Sequence, residues 1–137
     1  MRGSRRVYLW CMARSRTAVL ANFALRAAYG AAMLTTPGRI GEPWLGRPAP
    51  TAPSDVPLRG VGGREVALHL AGGAAILRGA PVRPWLLASL GGDLTDLAST
   101  IAQRRQLPPG GLRACLLAGG GSALLTIALL GAAAADG

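Results

Sequence analysis

Ala114–Ala135 reads ACLLAGGGSALLTIALLGAAAA, a stretch without a single charge, closed by Arg113 on one side and Asp136 on the other. At about 1.5 Å per residue a helix of this length reaches roughly 33 Å, enough to cross the hydrocarbon core of a bilayer. The remainder of the chain reads as weaker, partly charged helices packed around this clean one.

The composition agrees with a membrane solvent. The 137 residues fit one domain, and 50% of them are hydrophobic while only 4% are aromatic, so the apolar content is mainly Ala, Leu and Gly. Such small side chains let helix backbones approach closely inside a bilayer, where packing replaces the hydrophobic effect between helices. A water-soluble core built from them would be thin. The net charge of +9 comes from fifteen arginines with no lysine, a bias that points to a GC-rich bacterial genome. A basic excess raises nucleic acid as a partner. Against it, Arg2, Arg14, Arg16, Arg78, Arg83 and Arg104 sit at the margins of apolar runs, where the flanking cations of membrane helices belong, and no aromatic cluster offers base stacking. The expected partners are therefore the lipid bilayer and either a second copy or another membrane protein, with no nucleic acid. Cys11 and Cys115 have neither metal nor redox spacing, so the sequence asks for no cofactor and no metal.

Taken in order, residues 1–16 form a basic N-terminal tail, and residues 17–136 a membrane domain with helices near 17–34, 55–78, 84–104 and 112–135. Met12 opens a second possible start, MARSR, before the first apolar run. The expected fold is all-α, a four-helix transmembrane bundle in the bacterial inner membrane. Counting arginines on the two sides puts the N-terminus in the cytoplasm by seven to six, a balance that reverses if translation begins at Met12. Five prolines in TTPGRIGEPWLGRPAPTAP, residues 35–53, exclude a long helix there, and Trp44 reads as an interfacial anchor. The brief link Gly79–Arg83 with Pro81 predicts an antiparallel hairpin of the second and third helices.

Every predicted helix except the last carries ionisable groups in its apolar stretch. On the first, Asn22, Arg26, Tyr29, Gly30 and Met33 fall on one stripe, with Val19, Phe23 and Leu34 directed elsewhere. Arg64, Glu65 and His69 interrupt the second, with Gly62, Gly72 and Gly73 as points of close approach. On the third, Ser89, Asp93, Asp96, Thr100 and Gln103 make one polar stripe and the leucines cover other directions. An unpaired ion in hydrocarbon is far costlier than a matched one, so Arg26 and Arg64 are expected to meet Asp93, Asp96 or Glu65 inside the bundle. The candidate site is thus an intramembrane polar network of Arg26, Arg64, Glu65, His69, Asp93 and Asp96. A protonated His69 would bring that set to neutrality.

Four stretches in this order, Arg26-x-x-x-Gly30, Trp44-Leu45-Gly46, Gly62-Gly63-Arg64-Glu65 and Asp93-x-x-Asp96, resemble a family of small four-helix integral membrane proteins found mainly in actinobacteria. Members of that family often have Arg-Asp where this chain has Arg64-Glu65. The resemblance implies the architecture and brings no activity with it.

Three functions follow from the residues. In the first the polar groups are interhelical glue in a structural or accessory membrane module. In the alternative they serve a proton, ion or small-solute transport component that uses intramembrane carboxylates. A metal site draws on Glu65-x-x-x-His69 beside Asp93-x-x-Asp96, but one histidine is few and the arginines repel a cation. No nucleophile constellation is present, and no catalytic residue is expected; Ser122, in a glycine-rich stretch of the clean helix, reads as packing.

Overall fold

The computed structural model describes residues 2–47 and 55–135, with side chains over 15–47 and 55–134. The side chains of residues 1–14 of the basic tail, and residues 54 and 136, lie outside the described residues. Among the described residues the chain is entirely helical, without strands. α1 spans Arg2–Thr35, α2 Pro37–Leu45, α3 Asp55–Leu77 and α4 Arg83–Ala102. The clean stretch becomes α5 (Gly111–Cys115), a π-helical turn (Leu116–Gly120) and α6 (Gly121–Ala135), which follow one another in helical backbone as a single rod.

Two boundaries differ from the sequence reading. α1 starts at Arg2, so the basic segment continues the first helix. Nothing before Pro37 lacks a backbone N–H, and Arg, Leu, Met and Ala all propagate a helix well. The proline-rich link also holds a short helix, α2, with Pro37 in its first turn, where a missing N–H costs nothing. Thr36 leaves helical geometry at φ −132°, as the residue before a proline prefers, and this separates α2 from α1.

α1 and α3 pack antiparallel along the greatest length of any pair. Their backbones touch where two glycines face each other. A Cβ on Gly30 would lie 2.7 Å from the Gly62 carbonyl oxygen, and one on Gly62 would lie 2.7 Å from that of Gly30. The ends of this pair are laced by arginines. Arg16 of α1 donates to the Ile76 carbonyl at the end of α3, and Arg59 of α3 donates to the Leu34 carbonyl at the end of α1. Each guanidinium thereby meets the negative end of its neighbour's helix dipole, the Ile76 carbonyl accepting from Gly79 N–H as well.

The link from α3 to α4 is a Schellman turn. Ala80 N–H donates to the Ala75 carbonyl and Gly79 N–H to that of Ile76, both at 3.0 Å, with Gly79 in the left-handed region at φ 98°. The expected hairpin follows, although α3 and α4 touch over a short length. α4 packs mainly on α6, leaving α1–α3 and α4–α6 as the two principal pairs. One end of the seam between them is closed by Val19, Phe23, Ile76, Leu86 and Leu129. Val19 and Phe23 therefore share the buried side of α1 with Asn22 and Arg26, contrary to the single polar stripe read from the sequence, because that side faces both α3 and α6.

Two helices are long and apolar enough to cross a membrane, Ser15–Thr35 at mean hydropathy 1.2 and Gly111–Ala134 at 1.9. α3 and α4, with Arg64, Glu65, Asp93 and Asp96 in their middles, are not among them.

Gly30→Leu is expected to force α1 from α3 and to cost about 1–3 kcal/mol, as overpacking of a tight contact does. Gly60→Leu, with nothing within 4 Å of its Cβ position, should leave stability in place. Thermal melting of both variants in detergent checks the difference.

Candidate functional site

Arg26 sits in mid-α1, 8% exposed, and its guanidinium reaches each of the other long helices. Nε donates to Glu65 Oε2 of α3 at 2.9 Å. Nη1 and Nη2 grip Asp93 of α4 as a fork, at 2.8 Å to Oδ2 and 2.6 Å to Oδ1. Nη1 also donates to Ser122 Oγ of α6 at 2.7 Å. The planar fork of arginine matches a carboxylate in two parallel bonds, which no other cation does. A second guanidinium continues the network toward α2: Arg64 Nη2 lies 2.6 Å from Asp96 Oδ2 and 3.4 Å from Glu65 Oε1.

Four turns of helix are in register here. One turn from Arg26, Glu65, Asp93 and Ser122 lie Asn22, His69, Ser89 and Thr126, each four residues from its counterpart on the same helix and so on the same face. His69 is 1% exposed. Its Nδ1 lies 2.7 Å from the Glu65 carbonyl oxygen and its Nε2 3.0 Å from Ser89 Oγ. A carbonyl only accepts, so Nδ1 carries the proton, and in the neutral ring Nε2 accepts from the serine hydroxyl. Phe23 packs edge-on to the imidazole with ring centres 4.9 Å apart. Two groups of this second layer, Asn22 Nδ2 and Thr126 Oγ1, are buried without a hydrogen-bond partner.

A cleft of about 710 Å³ opens between α1 and the α5–α6 rod, with Arg26, Glu65, Asp93 and Asp96 on its floor. Leu25, Met33, Leu117 and Leu125 belong to its largely apolar walls, and α2 contributes Arg39 and Trp44. Trp44 is directed inward: its Nε1 donates to Thr100 Oγ1 at 3.1 Å. That hydroxyl donates to the Asp96 carbonyl and accepts from the Cys115 thiol. The tryptophan thus ties α2 to α4, a role the interfacial reading did not include.

All six residues named from the sequence, Arg26, Arg64, Glu65, His69, Asp93 and Asp96, meet in this one place. Ser122 and Thr126 were not among them. Their four-residue spacing on α6 is a signal, but in an uncharged helix it is indistinguishable from packing. Among the described residues no group of three or more His, Cys, Asp or Glu side chains is arranged to hold a metal ion.

Arg26→Ala strands the Asp93 and Glu65 carboxylates in the interior and is expected to cost about 3–5 kcal/mol, the range for removing one partner of a buried pair. Arg26→Lys should recover only part, since an ammonium cannot fork. Ser122→Ala removes one interhelical hydrogen bond and should cost about 0.6 kcal/mol. Chemical denaturation in detergent ranks the three variants. The chain matches no family model, no curated protein and no solved structure.

Proposed function

We propose that this chain is a small multi-pass integral membrane protein serving as a structural or accessory module of the bacterial inner membrane, with its N-terminus cytoplasmic. The observation that carries the proposal is the single guanidinium of Arg26 bonded to α3, α4 and α6 at once. In water such a network gains little over hydration, whereas in lipid it is the means by which ions inside helices are matched. The exterior supports the same reading. Leu70, Leu117 and Leu124 are 59%, 68% and 69% exposed while the ionised groups are buried, the reverse of a soluble bundle. Four crossings require α3 and α4 to span beside the two more apolar helices, with their charges turned toward Arg26 and Arg64. Membership of the actinobacterial four-helix group belongs to the same proposal, as does a second copy or another membrane protein on the apolar exterior.

A transport component is the second reading, favoured by the arrangement of the polar layers. They open onto the cleft at one end and stop at the Val19–Phe23–Leu129 cluster at the other, the shape of a path closed by an apolar plug.

Retention of the expressed chain in the membrane fraction after an alkaline carbonate wash is the expected result for the first reading; release into the supernatant overturns it. Proteoliposome flux that is lost in Asp93→Asn and kept when Arg105, an exposed residue after α4, is changed to Gln is the outcome required by the second.

A further inference from the structure

α1 and the α5–α6 rod are the helices apolar enough to cross a membrane, and the cleft opens between them. They meet at the Val19–Phe23–Leu129 cluster, so the cleft is closed at that end and has Arg39 and Trp44 of α2 at the other. Along α1 its lining descends from Met33 to Leu25, about 12 Å at 1.5 Å per residue, while half of a hydrocarbon core is roughly 15 Å. The cleft is thus about one leaflet deep. Its floor asks for no counter-ion, because every oxygen of Glu65, Asp93 and Asp96 is engaged by Arg26 or Arg64. The rim is different. Among the described residues the α2 end carries six exposed arginines, Arg39, Arg47, Arg59, Arg104, Arg105 and Arg113, against the acids Glu42 and Asp55. Arg47 pairs with Glu42, and Arg59 donates to the Leu34 carbonyl. Arg39, on the lining itself, and Arg113, on the α5 turn against which α2 packs, have no hydrogen-bond or ion-pair partner among the described residues.

We propose that the cleft seats an anionic diacyl phospholipid, its phosphate on Arg39 and Arg113 and one acyl chain between α1 and the α5–α6 rod. Each part of such a lipid finds its match at its own depth. Guanidiniums fork onto phosphate oxygens as they do onto carboxylates, and basic pockets between membrane helices are a recurring form of headgroup site. Below the rim, Leu25, Met33, Leu117 and Leu125 give a chain apolar contact along its length. A chain lying there also keeps water from the floor, and in surroundings of low dielectric constant the ion pairs of Arg26 and Arg64 are the stronger for it. The volume of about 710 Å³ lies within the range of small-molecule sites. A soluble anion is the poorer occupant, since it leaves the apolar walls uncovered. The inference rests on the membrane reading above, because only a chain in a bilayer meets such a lipid in this orientation.

Dioleoyl phosphatidylglycerol and dioleoyl phosphatidylcholine share their chains and differ in headgroup charge, so native mass spectrometry of the full chain in neutral detergent, titrated with each, decides the matter. The expected result is a saturable adduct of one lipid, with phosphatidylglycerol bound tighter by about tenfold or more. Arg39→Gln should weaken phosphatidylglycerol about fivefold, the effect of one arginine near a lipid surface, and leave phosphatidylcholine unchanged. Ala118→Trp, which fills the cleft from its wall, should weaken both lipids, and Arg78→Gln, exposed at the opposite end of the molecule, should change neither. Circular dichroism melting confirms that each variant is folded; Arg39→Gln alters an exposed side chain and keeps the test open should Ala118→Trp not fold. Equal affinity for the two lipids, unchanged phosphatidylglycerol binding in folded Arg39→Gln, displacement of the lipid by equimolar inorganic phosphate, or a dimer mass that lipid does not alter would each overturn the inference. Any of these alongside retention in washed membranes strikes the lipid site alone, whereas release by the wash strikes the membrane proposal and the lipid site with it.

Discussion

Everything in this all-helical fold is arranged around the burial of one guanidinium. An arginine deprived of water is tolerable only when its donors are taken up by acceptors, and the acceptors of Arg26 come from three different helices. That requirement fixes more than energy. Glu65 must stand level with Asp93, and both must stand level with Ser122, so the vertical register of four helices follows from one side chain. Hydrophobic contacts between Ala and Leu surfaces slide at little cost. A fork of bonds at 2.6 and 2.8 Å does not.

The glycines make this geometry reachable. Glu65 approaches Arg26 because Gly30 and Gly62, one turn or less away on either helix, let the two backbones meet. With larger side chains at the crossing, the carboxylate would be held away from the guanidinium and the pair would be left half made. Small residues and ions are thus two halves of one device, the first setting separation and the second setting register.

Much of this was legible in the chain. The polar spacing on α4 reads as a helical stripe, and Ser89 and Asp93 do point inward while Leu94 and Ile101 point outward, but Leu86 is buried in the core and Gln103 of the stripe is exposed. The Arg64-Glu65 pair interrupts an apolar run so abruptly that a partner was required. Pairing between helices was less legible. Sequence adjacency favoured α3 with α4, but the facing glycines and the arginines at each end bind α3 to α1 along a greater length. Nothing local reveals such a match, since each glycine looks like any other until its counterpart is known. α2 was missed for a similar reason: a nine-residue helix with two prolines has no apolar period long enough to detect, and it exists because Trp44 and Gly41 fit against Thr100 and Leu58.

The arginines that reach across the ends of α1 and α3 carry a consequence for motion. With Arg16 hooked to the last turn of α3 and Arg59 to the last turn of α1, a translation of either helix along the other breaks both hooks together. The pair therefore behaves as a stiff strut. Among the described residues the opposite wall of the cleft has no such hooks: it is lined by the wider π turn at Leu116–Gly120, whose Gly119 and Gly120 run on into Gly121.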